Sequence, residues 1–466
     1  MTVKVVVPDS WSPEVSYALH FIFETYLKED LCIEWEGPGG NMLLELGEST
    51  LLLPYVIRFS CVNSGEKYPV PNKPIPWCEL QITRETKVFM PIIFGDSEEA
   101  KLKNEDIFPI DIVASTFFML SRYEELRQNT GDQHERFLAE GSLAAKNNFL
   151  HLPVVDFYIL AVWFAVGGEQ SRVGSFACPI IPNVTCDVDI PFKFARTAPA
   201  LLKQLGRECL STSMVSEKFS SCLTMIKSFL WDETSDVYYR KILDICEKVE
   251  AIGARATFYF IADITSAKYD GQWTISHPRV RRLALLLLAR GHRLGLHPGY
   301  FSMRSVDKMG KAVSKLCHAI GQRELGHLGS RQHMLRWDAA VTPRVLEQAG
   351  IKEDSSLGYA DCAGFRCGTN KPFKLFDLSA RCVTDVVERP LLIMDVTLLA
   401  ERYCGLNFEG AVAVVRGIAD QVQLVGGEFT VLWHNSNLNT KLEVKVFEEL
   451  ASSLIPSLLA SNGTRR

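Results

Sequence analysis

The stretch "GHRLGLHPGYFS" spans Gly291–Ser302, and its reading decides the fold. A short apolar strand, with Leu294 and Leu296 either side of Gly295, closes on His297, and Pro298–Gly299 then turn the chain sharply. Helical periodicity flanks it on both sides, near Arg279–Arg290 and near Lys308–Ile320. A strand between two helices is one β/α unit, and such units recur along the chain. "IIPNVTCDVD" (Ile180–Asp189), "ARATFYFIAD", "LGHLGSRQH", "IKEDSS", "KLFDL", "LLIMDVTL" and "FTVLWHN" read as strands. Helices are expected near Val237–Ala251, Thr342–Ala349 and Glu409–Val425. This alternation predicts an α/β fold with a mainly parallel sheet. About seven or eight units predict a barrel or an incomplete one. Phe192–Asp236 interrupts the rhythm and reads as an inserted helical subdomain or lid at about 192–236.

Residues 1–170 read differently, as a separate N-terminal α+β domain. "SPEVSYALHFIFETYL" has helical periodicity from Pro13 with Ser12 as N-cap. Strand-like runs follow at "NMLLELGESTLLLPYVIRFS" and "KVFMPIIFG", then helices at Asp111–Gln128 and Val155–Val166. The "SRYEEL" charge cluster reads as a solvated or inter-domain face. The Gly- and Ser-containing break at Gly167–Pro179 is the boundary signal, so the barrel domain is expected over 179–466.

Composition excludes several classes. The 466 residues are 47% hydrophobic and 23% charged, with mean hydropathy +0.05, as in an ordinary soluble globular protein. A net charge of −5 and pI near 6.1 argue against a nucleic-acid binder, and equally against a protein of polyanionic membrane surfaces. No apolar run approaches the ~20 residues that span a bilayer. The N-terminus lacks the pattern of a signal peptide, which predicts a cytoplasmic protein. The 13 cysteines are scattered without a CxxC pair, which disfavours a disulfide framework or a zinc knuckle.

The chemistry lies at the strand ends. In a β/α barrel the site forms at the C-terminal ends of the strands, and those ends carry Asp187 and Asp189, His297, Arg331 and His333, Asp354, Asp395 and His434. Asp187 and Asp189 are two apart, hence on one strand face, where two carboxylates repel unless a cation or proton intervenes. Arg331 and His333 share a face in the same way. Taken singly, each has an ordinary explanation: a loop acid, a satisfied core imidazole, a structural ion pair. His292, on the opposite strand face from His297, reads as structural. Cys186 alternates away from the two aspartates and makes a poor nucleophile.

In this order the motifs, "TCDVD", "ATFYFIAD", "GHRLGLH", Arg331 and "LWHN", resemble the polysaccharide deacetylases of carbohydrate esterase family four, the NodB-homology fold, over Pro179–Ile455. "EDSSLGYADCAGFRCGTNKPFKLFDL", "FPIDIVASTFFMLSRYEEL" and "HERF" resemble a bacterial branch of that family with an extra N-terminal domain. The resemblance implies a distorted (β/α)7 barrel and metal-dependent hydrolysis of an N- or O-acetyl group from a sugar. It implies Asp187 as base, Asp189 and His297 as metal ligands, Arg331 as the group orienting the base, and His434 as general acid. Asp354 falls in the region whose acid supports that histidine, and is counted with the substrate site. Two departures stand out. Phe301 occupies the position of the second metal histidine, and "QHML" follows Arg331 in place of proline and tyrosine.

His333 is the expected replacement ligand. Asp189, His297 and His333 would give one carboxylate and two imidazoles, a set that suits a divalent metal, zinc first, with a position left open. Trp433 and Phe365 are expected as an apolar wall, and Arg366 as a contact for an anionic sugar group. The expected partner is an acetylated sugar or a polysaccharide precursor. The alternative is a non-catalytic barrel that binds a sugar or acts as a scaffold, with Phe301 as its main support.

Overall fold

The structure, a computed structural model, describes residues 2–36, 40–59, 68–71, 74–95, 108–127, 131–168, 180–194, 197–211, 214–230, 233–322 and 329–453. Most of the expected boundary, residues 169–179, and Leu325–Leu328 of the expected strand "LGHLGSRQH" lie outside the described residues.

The first part of the chain builds two small sheets. Strands β1 (Thr2–Val7), β2 (Asp30–Trp35), β3 (Met42–Leu46) and β4 (Ser49–Leu53) form one in the order β2-β1-β3-β4, and β5 (Trp77–Gln81) pairs antiparallel with β6 (Lys87–Pro91). The helix Pro13–His20 starts where expected, with Ser12 Oγ accepting from the Val15 N–H. It continues as wider π-helical turns through Tyr26.

The second part contains nine strands. They are β7 (Ile180–Val188), β8 (Thr257–Ile261), β9 (Arg293–His297), β10 (Gly329–Ser330), β11 (Glu353–Asp354), β12 (Phe373–Asp377), β13 (Cys382–Glu388), β14 (Ile393–Met394) and β15 (Gly427–Leu432). Their order is β12-β13-β11-β10-β9-β8-β7-β15-β14. Only β12 runs antiparallel to its neighbour, β13. β12 and β14 end the sheet without pairing to each other among the described residues, so it is an open half-barrel rather than a closed ring of seven units.

The intervening helices follow from their sequences. Val306–Ile320 buries Met309, Ala312, Leu316, Cys317 and Ala319 on one side. It opens on Ser305, whose Oγ caps the Lys308 N–H, and stops at Gly321, whose φ of 74° favours glycine. The segment 192–236 carries two helices, Ala198–Cys209 and Val215–Leu230, as an excursion between β7 and the helix Val237–Ala251. Buried apolar side chains of both parts of the chain join in one continuous core. Tyr17 and Phe117, for example, pack on Phe376 of β12.

The "SRYEEL" cluster is buried at this junction and not solvated. Arg122 pairs with Glu124 and Glu125, Glu125 also takes a two-pronged contact from Arg366, and Arg122 donates to the Tyr359 hydroxyl. All described cysteines are free, and Cys32, Cys209, Cys382 and Cys404 are exposed.

Candidate metal centre and active site

Parallel pairing brings the strand ends together. Asp187 sits opposite Tyr259, Ile261 opposite His297, and Leu296 opposite Ser330, so Asp187, His297 and Arg331 emerge at one edge of the sheet. Gly295 permits this closeness. A Cβ there would lie 2.3 Å from the Tyr259 ring, and that ring supports the Arg331 guanidinium at 4.7 Å.

Three ligand-type atoms converge. Nε2 of His297 lies 3.2 Å from Asp189 Oδ1, and His333 Nδ1 lies 2.9 Å from His297 Nε2 and 3.5 Å from Asp189 Oδ1. Each imidazole is anchored through its other nitrogen to a backbone carbonyl. His297 Nδ1 donates to Arg331 O at 2.6 Å, and His333 Nε2 donates to Tyr269 O at 3.1 Å. That anchoring fixes the tautomers and leaves both lone pairs facing the same point. Asp189 Oδ1 is buried there with no hydrogen-bond partner. A buried, unsatisfied carboxylate oxygen facing two imidazole lone pairs fits a divalent cation.

The electrostatics differ between the two imidazoles: burial lowers the His297 pKa, but Asp187 and Asp189 outweigh it and lift it above its usual value. Burial pushes the Asp189 carboxyl up, but His333, His297 and His434 together hold it far below the ordinary range. Burial pulls the His333 pKa below its usual value despite Asp189, which favours the neutral, coordinating form.

A second group stands beside the first. Asp187 Oδ2 is 3.7 Å from His297 Nε2, and its Oδ1 accepts from Arg331 Nη1 at 3.3 Å. Arg331 is itself held by the Thr185 hydroxyl, by Ser355 O at 2.8 Å and by Ser355 Oγ at 2.7 Å.

Across the pocket, His434 Nδ1 meets Asp395 Oδ1 at 2.8 Å, and Nε2 faces inward, 3.9 Å from Asp189 Oδ2. Asp395 is fixed by the His434 N–H and by Asn437. Burial pulls the His434 pKa down, yet Asp395, aided by Asp189 and Asp187, lifts it to about 10. Asp187, Asp189, His297, His333 and His434 line a cavity of about 180 Å³ together with Arg136, Leu335, Met394, Val396, Leu432 and Ser436.

Four expectations need correction. Trp433 does not line the cavity. It faces the opposite side of its strand from Leu432 and His434, packs on Phe447 and donates its indole N–H to Asn437 O. Phe365 is fully buried in the core. Arg366 is spent on Glu125 and Gly358 O at the inter-part junction, so it offers no free charge to a sugar. Asp354 is buried behind Arg331, bonded to Ser330 and to the Ser356 N–H, and the acid that supports His434 is Asp395. Phe301 is exposed, edge-on to Tyr300, and does not line the cavity. His292 bonds the Ala256 N–H and Glu250. Cys186 is fully buried, which pushes its thiol far above the range of a nucleophile.

The role of one quoted motif, "HERF" (His134–Phe137), was not legible from sequence. The segment Asp132–Phe137 of the first part lies on the loop that carries His333. Arg136, held by Asp132 and the Tyr403 hydroxyl, donates to Met334 O at 3.2 Å. Arg336 donates to His134 O at 2.9 Å and pairs with Glu135. Met334 and Leu335, directly after His333, have φ of 62° and 54°, a left-handed backbone that ordinary residues adopt only when held.

Comparisons with known proteins cover the two parts unevenly. A family model described as a family of unknown function (DUF7033) matches residues 63–168. No curated protein matches the chain. A structure described as a polysaccharide deacetylase from Mycobacterium smegmatis is 14% identical, with TM-score 0.36, over 61% of this chain and 93% of its own. A polysaccharide deacetylase structure from Pseudomonas aeruginosa PAO1 gives 11%, TM-score 0.37, and 59% and 85%. The Puue allantoinase gives 12%, TM-score 0.36, and 63% and 93%.

Proposed function

We propose that this protein is a metal-dependent hydrolase that removes an acetyl group, most simply an N-acetyl group, from a carbohydrate. The observation that carries the reading is the convergence, in one cavity of about 180 Å³, of three ligand atoms, an arginine-held carboxylate and a carboxylate-held imidazole. Asp189, His297 and His333 would hold the ion, with zinc favoured by the donor set. When bound, a divalent cation supplies Lewis acidity that polarises an acyl oxygen and acidifies water.

The chain's own groups supply the rest. Asp187, oriented by Arg331, accepts the proton of the attacking water. His434, kept protonated by Asp395, delivers a proton to the departing nitrogen or oxygen. Leu335, Met394 and Leu432 give the acetyl methyl an apolar wall in place of Trp433 and Phe365. In this reading the chain divides at residues 170–179, and residues 1–170 buttress the loop that carries His333. The rival reading, a sugar-binding or scaffold barrel without catalysis, has Phe301 as its main support, and the 2.9 Å approach of His333 to His297 favours the metal-bound reading over it.

The test is metal content together with acetate release from a panel of N-acetylated amino sugars and their oligosaccharides. The expected result is one zinc per chain, with turnover abolished by a chelator and restored by zinc. Purified protein that takes up no zinc, or zinc-loaded protein inert on every sugar, would overturn the reading.

A further inference from the structure

Arg366, expected to meet an anionic group of the sugar, is engaged elsewhere, but the cavity holds another arginine that the chemistry above does not use. Arg402 lines it together with Arg136, Tyr403 and His434, and is exposed at its mouth.

Arg402 stands on a built turn. After the helix Asp395–Leu399 the chain folds back on itself: the Tyr403 N–H donates to Ala400 O, the Cys404 N–H to Thr397 O and the Leu406 N–H to Leu398 O. The same helix opens on Asp395, which holds His434, so the turn and the candidate acid belong to one element. The Arg402 guanidinium lies over the Tyr403 ring, 5.1 Å from its centre. That ring is shared. Arg136 lies 5.9 Å from its centre and donates to its hydroxyl at 2.7 Å.

Two guanidinium groups thus meet at one tyrosine, and only one of them has a carboxylate. Arg136 takes Asp132, as Arg336 takes Glu135 and Arg331 takes Asp187. Arg402 makes no ion pair among the described residues. Its neighbour Glu401 does not line the cavity, and Asp361, beside Cys404, accepts from the Ala139 N–H. The rest of the cavity is near balance, since Arg331 matches Asp187, Asp132 matches Arg136 and Asp395 matches a protonated His434. A divalent cation on Asp189 would leave positive charge over, and Arg402 adds to it. An acetyl group is neutral and answers neither. A surplus of one sign in a small cavity favours a ligand of the other. The guanidinium fork holds two oxygens of a carboxylate or phosphate at once.

We propose that the substrate is an acetylated sugar bearing an oxyanion, a carboxylate or a phosphate, on the acetylated unit itself, and that Arg402, backed by Tyr403, selects it. For the acetyl group this rests on the deacetylase reading of the site. Selection of the anion is a matter of binding and can be measured without turnover. The role expected of Arg366 passes in this way to a residue of the cavity wall.

Three probes test it: N-acetylglucosamine, its 6-phosphate, and N-acetylmuramic acid, which carries a carboxylate. Zinc-loaded wild-type protein should show a KM for one acidic probe about tenfold or more below that for the neutral sugar, and the acid preferred identifies the group. Arg402→Gln should raise that KM to the neutral value with kcat unchanged, and should leave the KM for N-acetylglucosamine where it was. Arg402→Lys should recover part of the preference. Calorimetry on zinc-loaded Asp187→Asn protein, with and without Arg402→Gln, should give the same order of Kd in the absence of turnover. Equal KM for all three probes, or an Arg402→Gln effect shared by neutral and acidic probes, overturns the proposal and leaves the deacetylase reading standing. If no probe releases acetate, it is the deacetylase reading that fails. Calorimetry then decides the anion separately, and acidic probes that bind no better than the neutral one, or bind regardless of Arg402, overturn the proposal.

Discussion

His297 and His434 face each other across one cavity, and they are held in different ways. His297 Nδ1 rests on a backbone carbonyl and His333 Nε2 on another, so their inward nitrogens present lone pairs to Asp189. His434 Nδ1 rests on the Asp395 carboxylate, which stabilises the imidazolium and leaves the inward Nε2 carrying a proton. A backbone carbonyl behind a ring fixes its tautomer, whereas a carboxylate behind it also raises the pKa, as it does at His434. On the proposed reading, that difference separates two candidate ligands, His297 and His333, from one candidate acid, His434.

The contrast can be broken from either side. The largest effect is expected on the ligand side. His333→Ala and His297→Ala should each lose bound zinc by metal analysis, with activity falling to background, whereas His333→Ala with full occupancy would remove it from the ligand set. Next comes Asp187→Asn, which should keep its metal yet lose about 10³-fold or more in kcat, as expected on removing a general base. Asp395→Asn tests the acid side and should cost about 10–100-fold in kcat/KM with metal retained. Because His434 must be protonated to act, its contribution is present below its pKa and lost above it. Removing the carboxylate lowers that pKa from about 10, so the alkaline limb of the pH–rate profile should move to lower pH. The smallest effect is expected at Arg136, which lines the cavity and grips the loop after His333: Arg136→Ala should weaken zinc binding by about tenfold through the freed Met334 loop.

The parallel architecture was legible because a strand of a β/α unit and its helix carry different apolar periods, as Leu294–His297 and Val306–Ile320 do. The antiparallel pair β12–β13 was half seen: "KLFDL" read as a strand, whereas "CVTDVVE", which lies between β12 and β11, mixes polar with apolar residues and resembles a loop as much as a strand. Asp187, His297 and His434 were visible as polar residues closing apolar runs. Asp395 was seen at a strand end but not matched to His434. Its strand, β14, is only two residues long and the pairing spans the helix Phe408–Val425. Trp433, Phe365 and Arg366 were misassigned because nearness along the chain says little about direction. For Trp433 the alternation of side chains along β15 already held the answer. Arg136 was noted only within "HERF", with no role attached, because its contact with Met334 joins residues 198 positions apart.

That contact bears on how such a protein descends and diversifies. The barrel carries every candidate ligand, base and acid, yet the backbone after His333 is gripped by a segment from the other part of the chain, and the apolar core crosses the same junction. A recombination that moved residues 180–453 onto a different leading segment would transfer the whole set of reactive groups and lose the grip that aligns one of them. The two parts are therefore expected to be inherited together, with changes at Asp132–Phe137 answered by changes at Met334–Arg336.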